Sequence, residues 1–193
     1  MTDTESIIKQ STIYLVLKEG NFGVSMQDIV ARSKVSRSII HYYFRSREHL
    51  FSLLDDFIVQ NLLIPRYEIL FSLQPLATKV ETYLAEFEDN VQLYPYVDVY
   101  SLITFSNSDV FQKYFDSIKP NLEILGQEIQ TAINEKEIDY TNPVQFLFDL
   151  FSLSSYSTMC FDFLEKNKIF LGFEVTKDLK ESRLKSARKI LLK

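Results

Sequence analysis

The sequence is poor in the residues on which disulfide-stabilised and turn-rich proteins depend. Among its 193 residues there is one cysteine, Cys160, so no disulfide can form within the chain. Cys160 stands between Met159 and Phe161, and we interpret it as a buried, unreactive thiol. Four glycines and five prolines are few for a β-sandwich or barrel. The hydrophobic content of 46% is nevertheless that of a globular protein with a core.

Patterns for catalysis, cofactors, metals and membranes are also missing. The sequence has no G-x-G-x-x-G or P-loop, and neither His41 nor His49 has a carboxylate or cysteine at metal-ligand spacing. Polar residues interrupt the most apolar stretch, 144–164, so it is too polar to span a bilayer. The polar, acidic start is unlike a signal peptide. We therefore expect a cytoplasmic protein without a catalytic residue, cofactor, metal or membrane partner.

Hydrophobic residues recur with helical spacing along the whole chain, and no stretch alternates as a strand does. We predict an all-α fold of about nine helices, in which a small three-helix domain precedes a larger bundle. We expect one helix to end before Pro65 and another, over 109–136, to be kinked or split at Pro120. Serines and asparagines mark the helix starts. The predicted caps are Ser25 with Asp28, Ser36, Ser46, Asn107 and Asn142.

Charge is divided unevenly between the two ends of the chain. The formal net charge is −5, yet residues 1–50 contain seven basic and five acidic residues. Residues 29–47 contain five basic residues and no acidic residue. Two short helices over 26–33 and 37–44, joined by a three-residue turn, are the pattern of a helix-turn-helix. An acid-free second helix suits the major groove of DNA, where phosphates repel carboxylates.

The segment with this pattern resembles the N-terminal domain of TetR/AcrR-type transcriptional regulators. The resemblance runs through Gly20, SMQDIVARSKVS (25–36), SIIHYYF (38–44) and SREHL (46–50). Two positions depart from the family pattern, since Lys34 replaces a glycine of the turn and His41 replaces a tyrosine. If the backbone at residue 34 is left-handed, lysine there costs on the order of 1 kcal/mol.

The resemblance implies a DNA-binding domain over 1–47 and an effector-binding, dimerising domain over 48–193. We assign one group of side chains to base reading, namely Gln27, Arg37, Ser38 and Ile39. A second group is assigned to phosphates, namely Ser25, Lys34, His41, Tyr42, Arg45 and Arg47. Tyr42 and Tyr43 are open to a second interpretation, as ordinary half-buried packing.

The larger domain is expected to bind a small, apolar or aromatic effector and to form a homodimer. Its aromatic residues exceed what packing requires, and the predicted effector-lining residues are Phe87, Tyr100, Ile103, Phe115, Phe151 and Tyr156. By the same resemblance, the last two helices, about 143–167 and 174–192, form the dimer interface. The faces expected there carry Phe146, Leu150, Leu153 and Ser157 on one helix and Leu184, Ala187 and Leu191 on the other.

Together these features predict a ligand-responsive regulator, a repressor that binds a palindromic double-stranded DNA operator as a homodimer and is released by its effector. The alternative is a helical protein-interaction module, in which the basic N-terminal face contacts an acidic partner. The capped helix-turn-helix spacing distinguishes the two, because a generic basic face does not need it.

Overall fold

The computed structural model describes residues 4–166 and 177–192, apart from the side chains of 88–92, 156–166, 177–181, 183 and 184. All regular structure in the described residues is helical, which confirms the all-α prediction. The α-helices are α1 (Thr4–Ile13), α2 (Met26–Ser33), α3 (Arg37–Phe44), α4 (Arg47–Ile58), α5 (Ile64–Phe71), α6 (Leu76–Leu93), α7 (Val97–Thr104), α8 (Asp109–Asn134), α9 (Pro143–Lys166) and α10 (Lys177–Leu191).

Two of these helices continue into a π-helical turn, which the sequence pattern did not indicate. Tyr14–Lys18 extends α1, and Val59–Leu63 joins α4 to α5. The helix was therefore wrongly predicted to end before Pro65, since α5 runs through that residue. A proline removes one donor and crowds the preceding turn, and the wider π turn lies immediately before it. Pro120 likewise lies inside α8, which is assigned as one helix rather than two.

The helix caps follow the predicted positions with one exception. Ser25, Ser36 and Ser46 each accept a hydrogen bond from a first-turn amide of the helix that follows. Asn142 does the same for α9, at 2.9 Å from the amide of Gln145. The cap of α8 is Ser108 and not Asn107, since the Phe111 amide donates to the Ser108 hydroxyl at 3.3 Å.

The described chain forms two compact units. One comprises residues 1–64 with 91–117, and the other comprises 65–90 with 118–193. In the first unit, α1 to α4 pack around side chains that are at most 1% exposed, namely Ile8, Val16, Ile29, Ile40 and Phe44. Residue 47 does not separate these units, and the division of function at that residue stays a prediction.

In the second unit, α9 and α10 pack against each other. Four residues of the faces that were predicted to form a dimer interface are buried within this chain. Phe146 and Leu150 are at most 1% exposed, and Ala187 and Leu191 are at most 3% exposed. The side chains of Leu184 and Ser157 lie outside the described residues. A helical repeat of apolar residues does not say whether its neighbour belongs to the same chain, which is why the sequence misplaced this face.

No helix within the described residues is long and apolar enough to cross a membrane.

Candidate DNA-binding surface

The helix-turn-helix is built from two capped helices and a three-residue turn. At the start of α2, the Asp28 amide donates to the Ser25 hydroxyl, and the Ser25 amide donates to the Asp28 carboxylate at 2.7 Å. The bond from the Ser25 amide, and a second one that the Ser25 hydroxyl donates to the same carboxylate at 2.7 Å, hold the pKa of the Asp28 carboxyl below its ordinary value of 3.8. At the start of α3, the Ile39 amide donates to the Ser36 hydroxyl at 3.4 Å. Reciprocal capping fixes where α2 starts, and the Ser36 cap fixes where α3 starts.

The turn between the helices depends on Lys34, which adopts a left-handed conformation with φ of 60° and ψ of 16°. Its amide still donates to the Val30 carbonyl oxygen at 3.0 Å, so it closes the last turn of α2. A glycine would adopt this conformation without the steric cost that a β-carbon adds. The lysine side chain is exposed, which leaves its ammonium group free of the protein interior.

One face of α3 is buried and the opposite face is open to solvent. Ile40 and Phe44, four residues apart, are 0% and 1% exposed and anchor the helix to the core of the first unit. Tyr42 is 80% exposed and Ile39 is 43% exposed, although apolar and aromatic groups of this size usually seek burial. The other predicted contacts on this helix, Arg37, Ser38 and His41, are exposed as well.

The basic residues of the acid-free segment differ in how much they contact the rest of the protein. Arg32 lies over the ring of Tyr14, 3.2 Å from its centroid, and its Nη1 is 3.7 Å from a carboxylate oxygen of Glu19. This arginine therefore packs against the protein. Lys34, Arg37 and Arg45 are exposed. Arg45 ends α3 with a φ of 59°, which turns the chain sharply before α4.

Arg47, at the start of α4, is partly buried and partly exposed. Its Nε donates to the Val24 carbonyl oxygen at 3.2 Å, and its guanidinium lies 3.9 Å from the centroid of the Phe51 ring. Both contacts restrict the side chain and leave its remaining N–H groups available. Gln27 and Ser25, also predicted to meet DNA, are exposed on and before α2.

A buried carboxylate supports α4 eight residues after Arg47. Asp55 is 7% exposed and accepts hydrogen bonds from the Tyr100 hydroxyl at 2.8 Å and the Ser108 hydroxyl at 2.7 Å. Burial raises the pKa of the Asp55 carboxyl above its ordinary value of 3.8, and these two hydrogen bonds oppose the rise. The same residue thereby joins α4 to α7 and to the cap of α8.

Sequence reasoning missed the role of Asp55, although a signal for it existed. Asp55 is four residues from both Phe51 and Val59, so it falls on an apolar stripe where a carboxylate is unusual. An acidic residue on such a stripe indicates a buried hydrogen-bonding role. Its partners come from distant parts of the chain and are not indicated by the local pattern.

The predicted effector-lining residues occupy both compact units. Phe87 and Phe151 belong to the second unit, where each ring lies about 6 Å from that of Tyr83. Arg66, 3% exposed, also lies over the Phe87 ring, at 4.2 Å from its centroid. In the first unit, Tyr100 bonds to Asp55, Phe115 contacts Phe105, and Ile103 is 53% exposed. The side chains of Tyr156 and Cys160 lie outside the described residues.

Groups of histidine, cysteine and acidic residues that could hold a metal ion are absent from the described residues.

Comparison with known proteins agrees with this geometry at the level of the domain. The sequence profile of bacterial regulatory proteins of the tetR family matches residues 15–54, which include α2, α3 and the start of α4. A search of curated protein sequences found no significant match.

Solved structures match the described fold over nearly its whole length. A TetR family transcription regulator from Marinobacter aquaeolei VT8 has a TM-score of 0.61 at 13% identity, over 97% of this chain and 94% of that chain. A TetR-family transcriptional regulator from Haemophilus influenzae Rd has a TM-score of 0.55 at 15% identity, over 99% and 97%. A TetR transcription regulator from Haloarcula marismortui has a TM-score of 0.54 at 17% identity, over 99% and 95%.

At these identities the likeness shows the fold, and the profile match adds the N-terminal domain. Regulators of this family bind DNA and are not enzymes, which supports the prediction that this chain is not an enzyme. Residues 15–54 therefore match the tetR family of bacterial regulatory proteins, and the described chain shares its fold with solved structures of TetR-family regulators.

Proposed function

We propose that this chain is a ligand-responsive transcriptional repressor that binds a palindromic DNA operator as a homodimer. One observation carries the proposal. The solvent-facing side of α3 presents Arg37, Ile39 and Tyr42, while Ile40 and Phe44 hold the helix to its core. A recognition helix that enters the major groove must be fixed to the protein core on one face and expose an acid-free face to the DNA. The alternative, an interaction module, does not require the capped helix-turn-helix spacing.

Different side chains take different roles on the DNA. Arg37 has the geometry to bond a guanine edge with two N–H groups, and Ile39 can contact a thymine methyl. Gln27 and Ser38 read neighbouring base edges. Lys34 and Arg47, with the other predicted phosphate-contacting residues, hold the backbone and set the register.

A homodimer supplies the second recognition helix, since one short helix reads few base pairs and a twofold axis matches a palindrome. Exposed apolar side chains on the last two helices support an interface there. Val144 and Phe148 on α9 are 75% and 69% exposed, and Ile190 on α10 is 54% exposed.

We predict that the protein sediments as a dimer at micromolar concentration, with about twice the 22.6 kDa mass of the chain. Phe148→Glu is expected to convert it to monomer, because it places a charge in an apolar interface. Leu73→Glu is the matched control, since Leu73 is 103% exposed and lies far from these helices in sequence. Sedimentation equilibrium checks both. A wild-type mass of one chain refutes the dimer.

The effector acts through domain 48–193, and its binding favours a dimer in which the recognition helices no longer fit the operator. Linkage then requires effector and operator to weaken each other's binding by the same factor. Aromatic rings of this domain, among them Phe87 and Phe151, suit an apolar or aromatic effector.

Selection from a random-sequence duplex library tests the proposal as a whole. Enrichment of a palindrome whose half-sites are about one helical turn apart is the expected result. Enrichment of a single, unrepeated half-site contradicts the homodimer, and enrichment of no sequence contradicts operator recognition. The selected duplex then serves to screen small molecules for release of the protein.

A further inference from the structure

The second unit contains a cavity that none of the predicted effector-lining residues borders. It has a volume of about 360 Å³, near the lower end of the range of about 300–1,000 Å³ for ligand pockets. It lies where the end of α5 and the turn after it meet the first turn of α6 and the middle of α8. Its α8 residues are spaced by three or four, so they share one face of that helix.

The cavity combines a buried apolar wall with an exposed apolar edge. Leu70 and Leu125 are 1% and 2% exposed and form the inner wall. Leu73 and Ile124 line the same cavity but are 103% and 64% exposed. A ligand that covers these two apolar side chains removes them from water, which lowers the free energy of the complex.

One charged pair on the wall is unequally buried. The Lys79 side chain is 5% exposed, and its Nζ donates to a carboxylate oxygen of Glu128, whose side chain is 32% exposed. A buried ammonium group needs an anionic partner, because its desolvation is costly. Glu128 can turn toward water at small cost, whereas Lys79 cannot. The carboxylate side of this pair is therefore the exchangeable one.

We propose that this cavity binds a small amphipathic carboxylate, whose carboxylate takes the place of Glu128 on Lys79. Its apolar body lies against Leu125 and covers Leu73 and Ile124. The ion pair with Glu128 shows that the Lys79 ammonium group can bind a carboxylate at this position. The ligand would form the same ion pair.

The charges around the cavity favour one carboxylate over other ligands. Lys79 is the one basic residue among the ten that line this cavity, and Glu128 is the one acidic residue. A phosphate group carries more negative charge than one lysine balances. Neither a cation nor a neutral ligand offers a negative group that could replace Glu128 on Lys79. Two other polar lining residues, Gln74 and Asn121, are neutral, and their amide N–H groups can donate to either oxygen of the carboxylate.

Calorimetric titration of the free protein tests the proposal with two matched pairs of probes, hexanoate with hexanamide and benzoate with benzamide. We expect at least one carboxylate to bind saturably and its amide to bind at least about tenfold more weakly, since a hydrogen bond to a charged group is lost. Perturbed NMR signals of the Ile124 methyl groups locate the site. Binding of neither carboxylate, or equal binding of acid and amide, overturns the proposal.

Two substitutions separate a binding role from a structural one. Glu128→Gln removes the internal competitor, so the carboxylate is expected to bind several-fold more tightly and to raise the melting temperature of the variant more than that of the wild type. Lys79→Met is expected to abolish binding. Lys79→Met can also cause misfolding, so the result for Glu128→Gln is the decisive one. If this variant binds the carboxylate no more tightly than the wild type, the ligand does not replace Glu128 on Lys79.

Glu123→Gln and Lys113→Met are the controls, because they make the same changes at exposed positions of α8 outside the cavity. Both are expected to bind the probes like the wild type. No DNA is present in these titrations, so their failure leaves the proposed operator binding untouched, and the failure of operator binding leaves the cavity proposal standing.

Discussion

Gly20 illustrates how a single backbone conformation joins distant parts of the first unit. Its φ of +72° lies in the left-handed region, and a β-carbon there would stand 2.9 Å from the ring of Tyr96. That ring also packs edge-on against Phe22, and the Tyr96 amide donates to the Leu17 carbonyl oxygen at 3.1 Å. The glycine therefore permits a close approach that no other residue allows.

We predict that Gly20→Ala lowers the free energy of unfolding by about 2 kcal/mol, through backbone strain and displacement of the Tyr96 ring. Gly23→Ala is the matched control, because the nearest atom to its β-carbon is an Asn21 oxygen at 3.8 Å. Its effect is expected within about 0.5 kcal/mol. Urea unfolding measures both, and equal effects would contradict this role of Gly20.

Residue-level properties were predictable from sequence where they depend on near neighbours. Gly20 after α1 and the serine caps follow from local chemistry. The contact of Arg47 with Val24 and the burial of Asp55 depend on residues far along the chain. Ile103, which is expected to line the effector site, has a side chain that is 53% exposed, and its role there stays a prediction. A helical repeat alone does not set which apolar side chain turns inward.

At the scale of elements, capping determines the geometry of the DNA-binding surface. The reciprocal hydrogen bonds of Ser25 and Asp28 start α2, and the Ser36 cap starts α3 three residues after α2 ends. Without these caps, the amides of both first turns lose partners and the helix ends fray. The angle between the two short helices is then less well defined.

We predict that Ser25→Ala lowers the free energy of unfolding by about 1 kcal/mol, the usual cost of losing a serine cap. Gln27→Ala, two residues further on and exposed, is expected to leave stability unchanged and to alter preference at one base pair of the selected duplex. Urea unfolding and duplex binding of both variants check this. Loss of stability in Gln27→Ala with none in Ser25→Ala would reverse the assignment.

The contact among α4, α7 and α8 depends on the ionisation of Asp55. Its pKa is raised by burial, so the folded protein holds this proton more tightly than the unfolded chain does. The resulting contribution to stability is present below the ordinary value of 3.8 and is lost as pH rises through the raised pKa. Asp28 and Glu48, whose pKa values are lowered by hydrogen bonds, contribute with the opposite sign.

We predict that wild type gains stability relative to Asp55→Asn as pH falls from about 8 to about 4, because only wild type can take up this proton. Comparing the two proteins cancels the contributions of Asp28 and Glu48, which both retain. Urea unfolding across the pH series gives the difference directly. A difference that is constant, or that falls with decreasing pH, contradicts the burial of an ionisable group at this position.

At the scale of the whole molecule, sequence predicted the all-α class of fold and the N-terminal segment that matches the tetR profile, because helical periodicity and a capped turn are local signals. The residues at which the long helices end were harder to predict from the sequence. Pro65 and Pro120 lie within helices, since proline is tolerated where a neighbouring turn adjusts. The dimer face was misplaced, because Phe146 and Leu150 meet neighbours in their own chain. The cavity at Lys79 gave no sequence signal, since its walls come from three separate segments.

The proposed function of the whole molecule depends on the distinction between base-reading and phosphate-contacting residues. Arg37→Ala is expected to reduce discrimination at one base pair by about 1–3 kcal/mol. Arg47→Ala is expected to weaken binding to all duplexes alike and to lower the dependence of affinity on salt.

The most direct test is the fluorescence anisotropy of wild type and Arg37→Ala with the selected palindrome and a scrambled duplex, over a series of salt concentrations. We predict that wild type prefers the palindrome by about 10³-fold or more, with affinity falling steeply as salt rises. Arg37→Ala should lose a large part of that preference and still bind the scrambled duplex as wild type does. Equal binding of both duplexes by wild type, or full preference retained by Arg37→Ala, would contradict sequence reading by the exposed face of α3.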